Sequence, residues 1–196
     1  VTKKPIIRIF FDNSVSSGYH QSVSRESLLN GYEDLLINMK GTLMNNIKVS
    51  AIDCHIVYWE GDIPRFLTIK RASNERYPLI WQCVTGGIKN NEKAFEAAIR
   101  ELKEETGLNA EKIWTVDRVN NYYDPKYDTV FLIPIFGVQV RKKDVELSSE
   151  HIDYYWGDVE SVKKKILFNQ QKIGLEGFYS MLTKETKKLE LSEITI

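Results

Sequence analysis

Residues 79–108 read LIWQCVTGGIKNNEKAFEAAIRELKEETGL, and the fold turns on this stretch. Leu79–Val84 is a short run of β-forming residues. Gly86 and Gly87 follow it as a loop, and from about Glu92 to Glu105 apolar residues recur at helical spacing until Gly107 stops them. On that helix Glu101, Glu104 and Glu105 share one narrow arc beside the stripe of Phe95, Ala98, Ile99 and Leu102. Like charges so spaced cost a helix roughly 0.2–0.5 kcal/mol per pair, and the apolar neighbours add desolvation. A bound cation resolves the conflict. Carboxylates with no histidine or cysteine beside them are hard oxygen ligands, which favours Mg2+ or Mn2+ over zinc and points to phosphate chemistry. The alternative is a solvated acidic face neutralised by Arg100 and Lys103. The glycine pair shifts the balance toward chemistry, because a backbone without side chains can bring carbonyl or amide groups close to a metal or a phosphate.

The spacing is Gly86, five residues, Glu92, seven residues, then Arg100-Glu101-Leu102-Lys103-Glu104-Glu105-Thr106-Gly107-Leu108. This fills every fixed position of G-x5-E-x7-R-E-U-x-E-E-x-G-U, where U is bulky and apolar, and so resembles the signature of the Nudix hydrolases. The resemblance implies an α/β fold, the Nudix α/β/α sandwich with a mixed β-sheet, and metal-dependent hydrolysis of a nucleoside diphosphate linked to a further group X. It also implies that Glu101, Glu104 and Glu105 ligate Mg2+ or Mn2+, that Arg100 holds the acids in place, that Glu92 assists from the helix start, and that a carbonyl near Gly86 adds a ligand. In such a site the cation positions an attacking water and lowers its pKa. Trp81-Gln82-Cys83-Val84-Thr85-Gly86, Glu150-His151 ahead of Tyr155-Trp156, and Asn169 before an amphipathic helix are similar to segments of the dATP and dihydroneopterin triphosphate pyrophosphohydrolase subgroup. That likeness implies a (deoxy)nucleoside triphosphate or pterin triphosphate substrate. ADP-sugars, dinucleoside polyphosphates and capped RNA ends are the alternatives within the family, and a non-catalytic nucleotide-sensing module is the alternative outside catalysis.

Around this unit Val49–Trp59 and Arg65–Arg71 read as a hairpin turned at Gly61, and Lys112–Tyr123, Thr129–Val140 and His151–Trp156 as three more strands. Closing helices are expected at about Asp158–Leu167 and Gln170–Lys188. The resemblance covers about Val49–Leu182, so residues 49–196 are expected to form the Nudix domain. Residues 1–48 form an N-terminal extension, with a strand at Ile6–Phe11, a Ser-rich loop and an amphipathic helix at Arg25–Lys40. That helix packs on the domain or on a second copy, from which a homodimer is expected.

Lys plus Arg and Asp plus Glu both count 27, which excludes holding nucleic acid or anionic lipid by bulk charge. Cys54 and Cys83 sit among apolar residues and read as small core residues of a reduced protein. No apolar run reaches the roughly 18 residues of a membrane span and no leader layout is evident, so a cytoplasmic location is expected. Glu150 precedes a strand in a polar loop and is a candidate base or extra ligand, with His151 as the other candidate base. Arg71 and Lys70 end a strand and are candidate phosphate contacts. Gly87 and Trp81 flank the same unit as candidate substrate contacts, and Tyr123, with Tyr122 and Tyr127, offers a stacking surface for a base or pterin ring.

Overall fold

A computed structural model describes residues 47–196; the strand expected at Ile6–Phe11 and the helix expected at Arg25–Lys40 lie outside the described residues. Among the described residues, nine strands and four helices follow one another as β1 (Ile47–Lys48), β2 (Ala51–Glu60), β3 (Ile63–Arg71), β4 (Trp81–Gln82), β5 (Val84–Gly87), α1 (Ala94–Thr106), β6 (Ala110–Asp124), β7 (Thr129–Val140), β8 (His151–Gly157), α2 (Val159–Lys165), α3 (Asn169–Thr183), α4 (Thr186–Leu191) and β9 (Glu193–Ile194). The expected hairpin is present, and Gly61 turns it with a φ of 63°, a conformation that costs glycine nothing.

The sheet is mixed. β2 runs parallel to β7 and antiparallel to β3 and β5, while β6 pairs antiparallel with both β7 and β9. The arms of the hairpin part after Val57↔Phe66, and Trp81–Gly87 fills the fork. Its first half pairs with β3 (Ile69↔Gln82, Lys70↔Trp81) and its second half with β2 (Cys54↔Val84 to Ala51↔Gly87). This division corrects two expectations. Leu79–Val84 is not one continuous strand, since Leu79 has a φ of 62° and the chain changes partner at Cys83. Gly86 and Gly87 are not a loop but the last residues of β5, opposite Ile52 and Ala51.

Alternation along β2 sends residues to two cores. Ile52, Cys54 and Ile56 pack with Ala97, Ala98 and Leu102 of α1, whereas Val57 joins Val162 of α2 and Leu175, Phe178 and Met181 of α3. The expected α/β/α sandwich is therefore the observed architecture. Each fully buried leucine or isoleucine in these layers contributes about 1.5–3 kcal/mol. Gly137 lets α3 approach β7, because a Cβ there would lie 2.1 Å from the Phe178 ring. The closing helix expected at Gln170–Lys188 is broken in two: the Ser180 carbonyl accepts from both Lys184 N and Glu185 N, and Ser180 Oγ bonds Glu185. Cys54 and Cys83 are both free and fully buried, and burial pushes both thiols well above their ordinary range, so neither is a poised nucleophile.

Candidate active site

Helix α1 begins where Glu96 reaches back to the Lys93 amide at 2.9 Å and ends at Gly107, whose φ of 71° closes a bond to the Lys103 carbonyl. Between these caps Arg100 organises the acids. Its guanidinium forks onto Glu92 at 2.7 and 3.0 Å and donates to Glu101 Oε1 at 2.7 Å, to Glu104 Oε2 at 2.9 Å and to the Gly87 carbonyl at 2.7 Å. Five bonds from one planar group fix helix, loop and strand end together, which a lysine cannot do. The bonds from Arg100, with the Lys89 amide, hold the Glu92 carboxyl down at about 2. Partial burial raises Glu104, but Arg100 and Lys89 outweigh it and leave the carboxyl below its usual value. Glu101 goes the other way, raised by burial against the pull of Arg100.

Glu105 has no such partner. It is 4% exposed, and its Oε2 has no hydrogen bond among the described residues. Burial, then the charges of Glu101 and Glu150, push its carboxyl well up, opposed by the Thr85 backbone amide. Gly86 sits against the neighbouring Glu101 as a cradle: a Cβ there would be 2.0 Å from the Glu101 carboxyl carbon. Among the described residues no three acidic, histidine or cysteine side chains already converge as a ligand set. Glu101 and Glu104 are instead turned onto Arg100, which engages only one oxygen of each. An orphaned buried carboxylate oxygen, a second acid raised by burial and a backbone free of side chains are nonetheless the donor chemistry that a hard divalent cation takes. The residues fit such an ion.

A cavity of about 490 Å3 opens beside Thr85 and Gly86. Arg71 lines it: a register shift between Lys70 and Arg71 against β8 marks the point where β3 re-aims, and Arg71 keeps one bond, to Glu75, while its Nε has no partner among the described residues. Lys70 and Trp81 pair with each other across β3 and β4 and lie outside the lining, with Lys70 and Lys165 over the Trp81 ring at 5.9 and 4.4 Å. Tyr123 is also outside, exposed and bonded to Asp128, because alternation along β6 gives the cavity its neighbour Tyr122. The Gly87 carbonyl is taken by Arg100. Glu150 is exposed but close enough to act on Glu105, whereas His151 is buried 3.9 Å from Glu105 with neither ring nitrogen bonded among the described residues. Burial, aided by Arg71, lowers the His151 pKa to about 4. A larger hollow of about 1200 Å3 runs beside α1, lined among others by Arg100, Lys103, Glu104, Asn109 and Arg141, and so shares Arg100 and Glu104 with the acid cluster.

The cavity floor holds residues that sequence reasoning missed. Asp53 accepts from Asn120 at 2.5 Å and from Gln171 at 3.1 Å. Burial raises its carboxyl, and these two amides lead the groups opposing the rise. Gln82 Nε2 and Gln171 Oε1 are left unpartnered among the described residues, at about 1–3 kcal/mol each if nothing answers them. The available signal was Asp53 itself, an acid inside the apolar run Ile52–Tyr58.

A layered mixed sheet, with an arginine-tied carboxylate cluster on the helix that follows a Gly-Gly strand end, defines a phosphoanhydride-hydrolase type of domain. The NUDIX domain family model matches residues 52–175, more than half of the chain, and the chain belongs to the Nudix hydrolase family. It is 31% identical over 125 residues to the nucleoside triphosphatase NudI of Klebsiella pneumoniae (strain 342), covering 58% of this chain and 84% of that protein. A C. elegans Ap4A hydrolase in a binary complex shares the fold with a TM-score of 0.59 at 22% identity, over 69% of this chain and 98% of that one. The E. coli dihydroneopterin triphosphate pyrophosphohydrolase does so with a TM-score of 0.52 at 22% identity, over 67% and 97%.

Proposed function

We propose that this protein is a Mg2+- or Mn2+-dependent pyrophosphohydrolase acting on a nucleoside triphosphate or a pterin triphosphate. The observations that carry the reading are the orphaned Glu105 oxygen and Glu101 packed against Gly86, which lines a cavity together with the underused guanidinium of Arg71. Glu101, Glu104 and Glu105 hold the cation, which supplies charge neutralisation and an activated water. Arg100 keeps Glu101 and Glu104 from repelling one another out of place, with Glu92 as its anchor. Arg71 receives a phosphate oxygen. Glu150 takes the proton of the attacking water, since it is exposed beside Glu105, while His151 is buried. The similarity to NudI nucleoside triphosphatases supports this substrate class. No helix among the described residues is long and apolar enough to cross a membrane, and we assign the reaction to the cytoplasm.

The test is pyrophosphate and phosphate release across a panel of nucleoside triphosphates, ADP-sugars and dinucleoside polyphosphates, with and without Mg2+. Turnover confined to triphosphates and lost in Glu104→Gln is the expected result. Selective binding with no turnover would make the protein a nucleotide sensor. Glu150→Gln is expected to lower kcat by orders of magnitude and His151→Gln much less; the reverse order would transfer the base to His151. The homodimer expected from residues 1–48 is tested by sedimentation at micromolar concentration, where a monomeric profile removes it.

A further inference from the structure

The polar floor of the cavity is the part of this region that hydrolysis leaves unused. Asp53, Gln82, Asn120 and Gln171 arrive from β2, β4, β6 and α3, and each is more than nine-tenths buried. A carboxylate accepts and does not donate, so Asp53 takes the NH2 ends of both neighbouring amides: Asn120 Nδ2 on Oδ2 and Gln171 Nε2 on Oδ1. An amide with its NH2 end committed can turn only its carbonyl elsewhere. Gln171 Oε1 is such an end, without a partner among the described residues, and Gln82 Nε2 is an unpartnered donor on the same floor.

We propose that Asp53 is a positioning residue for substrate selection: by holding the NH2 ends of Asn120 and Gln171 it sets the donor–acceptor pattern that the floor presents to the heterocycle of the substrate. This rests on reading the cavity as the seat of a nucleotide's base. Base edges differ in the order of their donors and acceptors, and one well-made pair discriminates by about 10- to 100-fold. Turning one amide over replaces an attraction with two facing like ends, so the lock on amide orientation is also the lock on preference. Arg71 and Arg76 line the same cavity, and neither bonds Asp53, Asn120 or Gln171.

Asp53→Asn tests this, because its side chain offers one carbonyl and one NH2 group. Only one neighbouring amide can keep its bond and the other must invert. Calorimetric titration of wild type and variant with the α,β-methylene analogues of ATP, GTP, CTP and UTP, in Mg2+, gives the ratio of best to worst base. That ratio is expected to change at least tenfold, with turnover of the preferred triphosphate moving in KM more than in kcat. An unchanged ratio, or the same loss for all four analogues, overturns the proposal. Gln171→Leu removes one arm of the pattern while leaving Asp53 in place, and keeps the test open if Asp53→Asn misfolds; it too must shift the ratio. Wild-type protein that binds the analogues selectively yet hydrolyses none of the triphosphates overturns the hydrolytic reading, and the variants' ratios still decide the proposal. Equal binding of all four by the wild type overturns the proposal alone.

Discussion

A single missing methyl group carries much of the site. Because a Cβ on Gly86 would sit 2.0 Å from the Glu101 carboxyl carbon, Gly86→Ala must move that acid, and a displacement on the order of 1 Å at a reacting centre costs about 100-fold. A loss of kcat of that size with an intact fold by circular dichroism is the expected outcome. Turnover within threefold of wild type would mean that the place of Glu101 does not matter. Arg100→Lys is a second probe at this scale. One ammonium cannot span Glu92, Glu101, Glu104 and the Gly87 carbonyl at once. NMR titration of the variant is expected to show the Glu92 carboxyl rising from about 2 toward its ordinary value, since Arg100 is the main cause of its depression.

Among the elements, β2 is the one whose neighbours matter most. His55 lies on it fully buried, facing α3 at Gly174, and burial lowers its pKa to about 3. The unfolded chain takes up this proton near pH 6.5 and the folded chain only near 3, so between those values the unfolded state binds more protons and stability falls as pH falls. The slope is about 1.4 kcal/mol per pH unit well inside that window. His151, lowered to about 4, adds to the slope over much of the same range. His55→Leu is expected to flatten the loss in melting temperature between pH 6 and roughly pH 4.5, and an unchanged slope would show that His55 is not buried neutral. Across the sheet, Gly137→Ala drives a methyl group into the Phe178 ring and is expected to cost about 1–3 kcal/mol or more by urea unfolding. The strands and α1 were legible because their periods are local, and so was the acid cluster, because its spacing lies within one helix. The fork that splits Trp81–Gly87 between two partners was not, since pairing depends on where the hairpin arms part. The same limit explains why Lys70 and Trp81 lie outside the cavity and why Asp53, Asn120 and Gln171 went unseen: their convergence spans β2, β6 and α3 and has no sequence spacing of its own.

For the whole molecule, the orphaned acid ties cation binding to folding. An ion bound only by the folded state at roughly 100 times its Kd adds about 2.7 kcal/mol, which for a chain of this size is roughly 5–10 °C in Tm. Mn2+ and Mg2+ are expected to raise the melting temperature and EDTA to reverse it. Glu105→Gln should abolish the shift and melt above wild type in EDTA, because it removes a buried charge facing Glu101 and Glu150. A full shift in that variant would place the ion elsewhere. The two faces of β2 bear on the history open to this chain. The acid cluster sits on α1 above Ile52 and Cys54, while Asn120 of β6 and Gln171 of α3 meet Asp53 on the opposite side. Mutations that alter what is recognised therefore fall in a different layer from those that alter how it is cut, and a lineage can drift from one substrate to another without passing through an inactive ancestor.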